Sequence, residues 1–163
     1  MPKKIKLPET DDGATLFNID PMIQKWHYEV DYIHSYAQDS PFFLGLSQGK
    51  LLGSACIKCP SKFATPRSHC MNCGAKTEWF DLPQTGQIHT FTTCFFGGEA
   101  FLEETPFTLI LVEFAGVDTL FLSRLIGTPS DEVRIGMPVQ ARFLRKSQFK
   151  VTDVYFVPKV DQK

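Results

Sequence analysis

The chain predicts a mainly β protein with an N-terminal helical segment, in which a small metal-binding ribbon precedes a closed five-stranded barrel. Three observations predict it: four cysteines at metal-ligand spacing, five strand-length segments divided by turn signals, and 43% hydrophobic composition over 163 residues, enough to bury a core. The expected division is residues 1–49 as arm and helices, 50–83 as ribbon and 84–163 as barrel.

Residues 1–19 carry Lys3, Lys4 and Lys6, then Asp11, Asp12 and Gly13, without sustained periodicity, and read as a disordered tail. No apolar run follows Met1-Pro2-Lys3-Lys4, so no secretory signal is expected and the expected compartment is the reducing cytoplasm. A helix is expected from Asp20-Pro21, where Asp caps and Pro fits the first turn, to about Asp39, with Ser40-Pro41 as the stop. Met22, Trp26, Val30, Ile33 and Ala37 would form one apolar stripe, and Tyr28, Tyr32 and Tyr36 would stack on another face. Tyrosines suit interfaces because they bury area and keep a polar tip. Tyr28, Tyr32 and Tyr36 are therefore candidate partner-binding residues, against the alternative of an ordinary surface helix with snorkelling tyrosines.

After the apolar segment Phe42 to Leu46, Gly49-Lys50-Leu51-Leu52-Gly53 reads as a turn into the ribbon. Cys56, Cys59, Cys70 and Cys73 then form a C-x2-C, ten-residue gap, C-x2-C array, a spacing that lets two knuckles close tetrahedrally around one metal ion. The second knuckle ends in Gly74, which such a turn favours, whereas the first has Pro60 there, so the two should not be equivalent. Two disulfides are the alternative, but those belong to short, cysteine-dense secreted chains. Zinc suits four thiolates, and iron in a rubredoxin-like site would use the same ligands. Structural zinc is the reading preferred here: four sulfurs leave no open position for water, which disfavours metal-hydroxide chemistry. His69, beside Cys70, could replace a thiol, but the cysteines already complete the set.

Strands are expected near Gln87–Phe96, Phe107–Phe114, Asp118–Ile126, Val139–Lys146 and Phe149–Val157, punctuated by Gly97-Gly98, Ala115-Gly116, Gly127-Thr128-Pro129 and Gly136-Met137-Pro138. Five strands in so short a span suit the OB-fold, a small barrel that protects its edges by closure. Fifteen phenylalanines are many for this length and imply an aromatic core or surface that a partner covers.

The order of parts carries a resemblance: "GKLLGSACIKC", "HCMNCG", "EWFDLPQTGQIHTFT" and "VRIGMPVQARF" follow an N-terminal helical segment. Over roughly residues 22–157 the chain resembles the DUF35 family, whose members join a rubredoxin-like zinc ribbon to a C-terminal OB-fold. Members are found beside thiolase-like proteins: archaeal acetoacetyl-CoA thiolase and hydroxymethylglutaryl-CoA synthase, steroid side-chain aldolases, phloroglucinol acetyltransferase and the benzoylsuccinyl-CoA thiolase of anaerobic toluene breakdown. The resemblance implies an accessory, non-catalytic zinc-containing subunit of a heteromeric thiolase-like acyl-CoA complex that makes or cleaves a carbon–carbon bond. In such systems the partner carries the reactive cysteine, and the DUF35 subunit organises the complex and assists acyl-CoA or substrate binding.

The residues agree by omission, and no catalytic residue is assigned. A self-sufficient Claisen-type enzyme needs a cysteine nucleophile, an acid or base and donors for the thioester oxygen. Outside the array only Cys94 remains, in Thr92-Thr93-Cys94-Phe95-Phe96, a strand without a neighbouring histidine or cation, and it reads as a buried thiol. His27, His34, His69 and His89 are scattered, although His27 and His34 would share a helix face. Arg142, Arg145, Lys146 and Lys150 on a hairpin, Arg124 in an apolar strand, and Lys62 and Arg67 in the ribbon could meet CoA phosphates or simply solvate the surface. The alternative function is single-stranded nucleic-acid binding, since ribbons and OB-folds both serve it. Seventeen basic against 18 acidic residues, with a pI near 6.4, offer no field for nucleic acid or anionic membrane. The apolar stretches are too short to span a bilayer.

Overall fold

The computed structural model describes residues 27–31 and 33–159. Met1–His34 and Ser35–Lys163 are two separate compact units. In the first, the described residues are not helical, and Tyr28, Val30 and Ile33 are exposed. This corrects the expected long helix over its described part; Met22, Trp26 and Tyr32 lie outside the described residues. Helices within proteins gain most of their stability from packing an apolar face, and no described residue of this unit is buried.

The second unit begins with a 3-10 turn (Ala37–Asp39) that runs into helix α1 (Ser40–Ser47). Ser40-Pro41 therefore starts a helix where the sequence suggested a stop. Asp39 takes the N-cap position and Pro41 sits in the first turn, where its missing N–H costs nothing. Phe42 and Leu46, one turn apart, are both buried, and Gly49 reverses the chain at a left-handed φ of 72°.

A three-stranded antiparallel sheet follows, with β1 (Leu52–Cys56) between β2 (Lys62–Phe63) and β3 (Thr77–Asp81). Gly53 is required at its centre: a Cβ there would lie 2.7 Å from the Phe63 carbonyl oxygen and 2.9 Å from the Phe80 ring.

The remaining strands are β4 (Thr85–Cys94), β5 (Phe107–Glu113), β6 (Phe121–Leu125), β7 (Pro138–Phe143) and β8 (Val154–Pro158). They close into a barrel in the order β4-β5-β6-β8-β7, antiparallel except where β8 lies parallel to β6 at Leu125 and Phe156. This is the OB-fold expected from the turn signals. The fifth strand starts at Val154 instead of near Phe149. The buried Asp153 carboxylate accepts from the Ser147 hydroxyl (2.6 Å) and the Gln148 N–H (2.8 Å), folding residues 147–153 into a loop that the strand follows.

Alternation along β5 turns Thr108, Ile110 and Val112 inward, where they meet residues such as Ile88, Val139 and Phe156. The same continuous core takes in Phe42, Leu46, Leu51, Ala64 and Leu82, so helix, ribbon and barrel are packed as one body. A polar clamp adds to it: Lys62 N–H donates to Asp118 Oδ2 (2.8 Å), Asp118 N–H returns to the Lys62 carbonyl (2.9 Å), and Ala64 N–H donates to Thr119 Oγ1 (2.9 Å).

Candidate metal centre and its surroundings

The knuckles bring the four predicted cysteines together: Cys56, Cys59, Cys70 and Cys73 place their sulfurs within 4.8 Å of one another. Sulfur pairs lie 3.5 Å apart for Cys56–Cys73 and Cys59–Cys70, and 3.7 Å apart for Cys59–Cys73. A disulfide needs about 2.05 Å, so these are four free thiols. Ligands about 2.3 Å from a tetrahedral ion sit about 3.8 Å from each other, which is the spacing of this cluster.

Backbone donors surround the sulfurs. Lys58 and Cys59 N–H point at Cys56 Sγ (3.3 and 3.4 Å), and Asn72 N–H points at Cys70 Sγ (3.4 Å). Gly74 closes the second knuckle at a left-handed φ of 71°, its N–H donating to the Cys70 carbonyl (3.0 Å). Both knuckles also close through an N–H to the carbonyl five residues on, Cys56 to Ser61 and Cys70 to Ala75 (2.8 Å each), but Pro60 has no N–H to match the Gly74 bond. The expected inequivalence of Pro60 and Gly74 is thus real, and Ser61, whose side chain meets both Asn72 and Cys59, adds to it. Asn72 Nδ2 donates to Ser61 Oγ (2.8 Å), and the Cys59 thiol meets the same oxygen at 3.4 Å.

The thiols consequently differ in acidity. The Ser61 hydroxyl, then its backbone N–H, lower Cys59 to about 6. Burial pushes Cys70 up, but the N–H groups of Asn72 and Cys73 outweigh it and hold the thiol below its usual value. The Ala75 N–H lowers Cys73, yet the neighbouring Cys56 sulfur, burial, Cys59 and Cys70 together drive it up to about 12. A divalent ion stabilises all four as thiolates, and this donor set suits zinc or iron. All four ligand positions would be protein sulfurs, an arrangement compatible with a structural zinc.

His69 stays outside this set: its Nδ1 is paired with Ser68 Oγ (3.1 Å), and its backbone bridges Lys76. Cys94 ends β4 opposite Phe107, half-buried, with no acid, base or cation hydrogen-bonded to it among the described residues. His27 and His34 are exposed on the non-helical segment, so the expected shared helix face is not formed. His89 pairs with Glu113 at 3.1 Å on the outside of the barrel. Arg142, Arg145, Lys146 and Lys150 are all exposed. Arg124 lies over the Phe107 ring at 4.4 Å and pairs with Glu104.

Neither Tyr28 nor Tyr36 lies on a helix. Tyr28 is exposed, Tyr32 is outside the described residues, and Tyr36 stacks on Phe43 at 3.7 Å with its hydroxyl donating to the Phe149 carbonyl (2.6 Å). The exposed aromatic surface lies elsewhere. Phe95 and Phe96, 74% and 83% exposed, leave the end of β4, and Phe101 and Leu102 stand half-exposed on the 3-10 segment Glu99–Glu104. A Cβ on Gly97 would come within 3.0 Å of Phe101 Cβ, so the two ends of this loop are in contact. The adjacent phenylalanines are visible in the sequence, but their exposure depends on where β4 stops.

The profile described as "ChsH2, C-terminal OB-fold domain" matches residues 79–144, from the middle of β3 to just past β7. A "DUF35 domain-containing scaffold protein" of Methanocaldococcus jannaschii is 24% identical over 97 residues, 58% of this chain and 68% of the relative. Among solved structures, a chain of the "Ltp2-ChsH2(DUF35) aldolase" superposes with a TM-score of 0.63 at 25% identity, covering 75% of this chain and 94% of that one. The likeness, in sequence and in fold, is to the DUF35 family. A DUF35 protein of unknown function from Sulfolobus solfataricus shares the fold at a TM-score of 0.55 and 24% identity, over 74% of this chain and 84% of its own. The matched profile starts beyond Cys73, so the metal centre rests on its own geometry and the barrel carries the profile match.

Proposed function

We propose that this chain, like the DUF35 proteins it resembles, is a non-catalytic, zinc-containing subunit of a heteromeric thiolase-like complex that makes or cleaves a carbon–carbon bond in an acyl-CoA. It organises that complex and assists binding of the acyl-CoA substrate. The observation that carries the reading is the apolar loop of Phe95, Phe96, Phe101 and Leu102 on a barrel whose remaining cysteine, Cys94, has no base hydrogen-bonded to it among the described residues. Large aromatic side chains bury about 150–250 Å² each, so this loop offers about 400–500 Å² of apolar surface, roughly half of what one partner contributes to a stable interface. Its occupant is the catalytic subunit. The likeness to a chain of the Ltp2-ChsH2(DUF35) aldolase and to a DUF35 scaffold protein supports that choice. The ribbon and the segment bearing Tyr28, Tyr32 and Tyr36 are proposed as further contacts, with Tyr28 the most accessible described member.

Native mass spectrometry of the chain co-expressed with the thiolase-like protein from its own host tests this. The wild type should run as a heteromer with one zinc per chain. Phe95→Ser with Phe96→Ser should weaken it by about 100-fold or more, since central aromatic anchors contribute about 2 kcal/mol or more each. An intact heteromer from the double variant would show that the loop is not the docking surface. A chain that never pairs with the thiolase-like protein would refute the complex itself.

A further inference from the structure

Strand β5 breaks the alternation that β7 keeps. An antiparallel strand with one face on the core and one in water reads apolar inward and polar outward. In β7, Val139 and Ala141 are buried, and Gln140 and Arg142 take the outward positions. β5 reads Phe107-Thr108-Leu109-Ile110-Leu111-Val112, apolar on both faces, and its one polar residue points inward, where the Thr108 hydroxyl meets that of Thr93 at 3.3 Å. Phe107, Leu109 and Leu111 are half-buried, and none of the three is packed against the buried core. A strand apolar on both sides is the pattern of one that is covered on both sides.

The strand register spreads this outward row into a patch. Leu111 lies opposite Leu122 of β6 and Leu109 opposite Arg124, so the four share the outer face. Leu122 is 58% exposed. On the other side Thr90, Thr92 and Cys94 of β4 oppose Leu111, Leu109 and Phe107. The cation on this face, Arg124, is already neutralised, since it pairs with Glu104 above the Phe107 ring. At the end of β4 and β5 away from the phenylalanine loop, the exposed His89 and Glu113 pair with each other. An apolar, charge-neutral centre with a polar rim is the anatomy of a protein–protein interface.

We infer that the outer face of β4, β5 and β6, centred on Leu109, Leu111 and Leu122, is a second part of the docking surface and is covered by the same thiolase-like subunit that takes the loop of Phe95, Phe96 and Phe101. The inference rests on the reading of this chain as a subunit of such a complex. Loop and face are continuous: the Phe101 and Phe107 ring centres are 6.3 Å apart, and Arg124 ties Glu104, at the end of the loop's 3-10 segment, to β6. The loop's area of about 400–500 Å² falls short of the roughly 800 Å² that each partner contributes to a stable interface, and the leucine face is the apolar surface that adjoins it.

Native mass spectrometry of the metal-loaded full chain with the thiolase-like protein from its own host tests this, comparing the wild type with Leu111→Thr, Leu122→Thr. Threonine keeps the strand's β-propensity, and both side chains point away from the core, so the urea midpoint should stay near that of the wild type. The heteromer should weaken by about 25-fold, roughly fivefold for each apolar side chain lost from an interface centre. Hydroxyl-radical footprinting of the wild type needs no substitution, and oxidation of Leu122 should fall severalfold when the partner binds. Wild-type affinity in the leucine variant, or Leu122 as reactive in the heteromer as in the free chain, would overturn the face and leave the proposed complex standing. No heteromer from the wild type would overturn the complex and the face with it. A chain that dimerises alone, and that the leucine substitutions make monomeric without changing the heteromer, would assign the face to a second copy and overturn the inference.

Discussion

Replacing Phe156 by alanine tests whether barrel and ribbon stand on one core. Phe156 is fully buried in β8, its ring centre 6.3 Å from those of Phe114 and Phe121, and its carbonyl accepts the Ile126 N–H (2.8 Å) at the parallel junction. Truncating so enclosed a phenylalanine costs about 3–5 kcal/mol, partly lost transfer energy and partly the cavity left behind. With a urea slope of about 2 kcal/mol per molar, the midpoint should fall by about 2 M. The thermal midpoint should drop by about 10 °C. The sharper expectation concerns the ribbon, which contains no part of β8. Leu51, Ala64 and Leu82 belong to the same buried cluster as Phe156. Loss of the barrel should therefore release the metal and expose Trp79 in the same transition. The assay follows far-UV circular dichroism, Trp79 emission in a Trp26→Phe background, and metal transfer to a chromophoric chelator across one urea titration. Three coincident midpoints, all lowered, are expected. Metal release that keeps its wild-type midpoint while the dichroism shifts would refute the single-core argument, and a total loss under about 1 kcal/mol would refute the packing argument.

Two further outcomes follow from the metal centre and the Asp153 loop. Metal binding must strip protons from the cluster, above all from Cys73, held up to about 12, whereas Cys59, lowered to about 6, is already largely ionised at neutral pH. Affinity should therefore fall as pH falls, most steeply once Cys59 also protonates, and the chelator concentration for half-release should drop between about pH 8 and pH 5.5; pH-independent release would contradict thiolate ligation. Asp153→Ala removes the acceptor of both the Ser147 hydroxyl and the Gln148 N–H, and should cost about 2–3 kcal/mol in chemical denaturation, while a loss under about 0.5 kcal/mol would show that the loop holds its shape without the carboxylate.

The metal ligands were legible because C-x2-C spacing is itself a local geometric constraint, satisfied within each knuckle whatever the rest of the chain does. The first four barrel strands were legible to within a few residues because alternation and glycine turns are also local. The fifth was misplaced at its start because the loop before it is folded by a side chain, Asp153, which strand periodicity does not register. Ser40-Pro41 misled for a different reason. A proline ends a helix behind it and suits the first turn of one ahead, and the choice was decided by Phe42 and Leu46 packing into the barrel core. Arg67 was visible as a ribbon cation, but its place beside Lys76 was not, since the bridge between His69 and Lys76 spans the second knuckle and exists only once that knuckle has closed.

The barrel's strand order bears on its synthesis. Because β8 lies between β6 and β7, the hydrogen-bonding edges of both stay open while the ribosome is still translating the chain ahead of it. Until then the nascent chain can form the β4-β5-β6 meander as a sheet with unpaired edges, a state prone to pairing with other chains. The loop folded around Asp153 comes immediately before β8 and sets where that strand begins, so it also times the moment at which a sticky intermediate becomes a closed barrel.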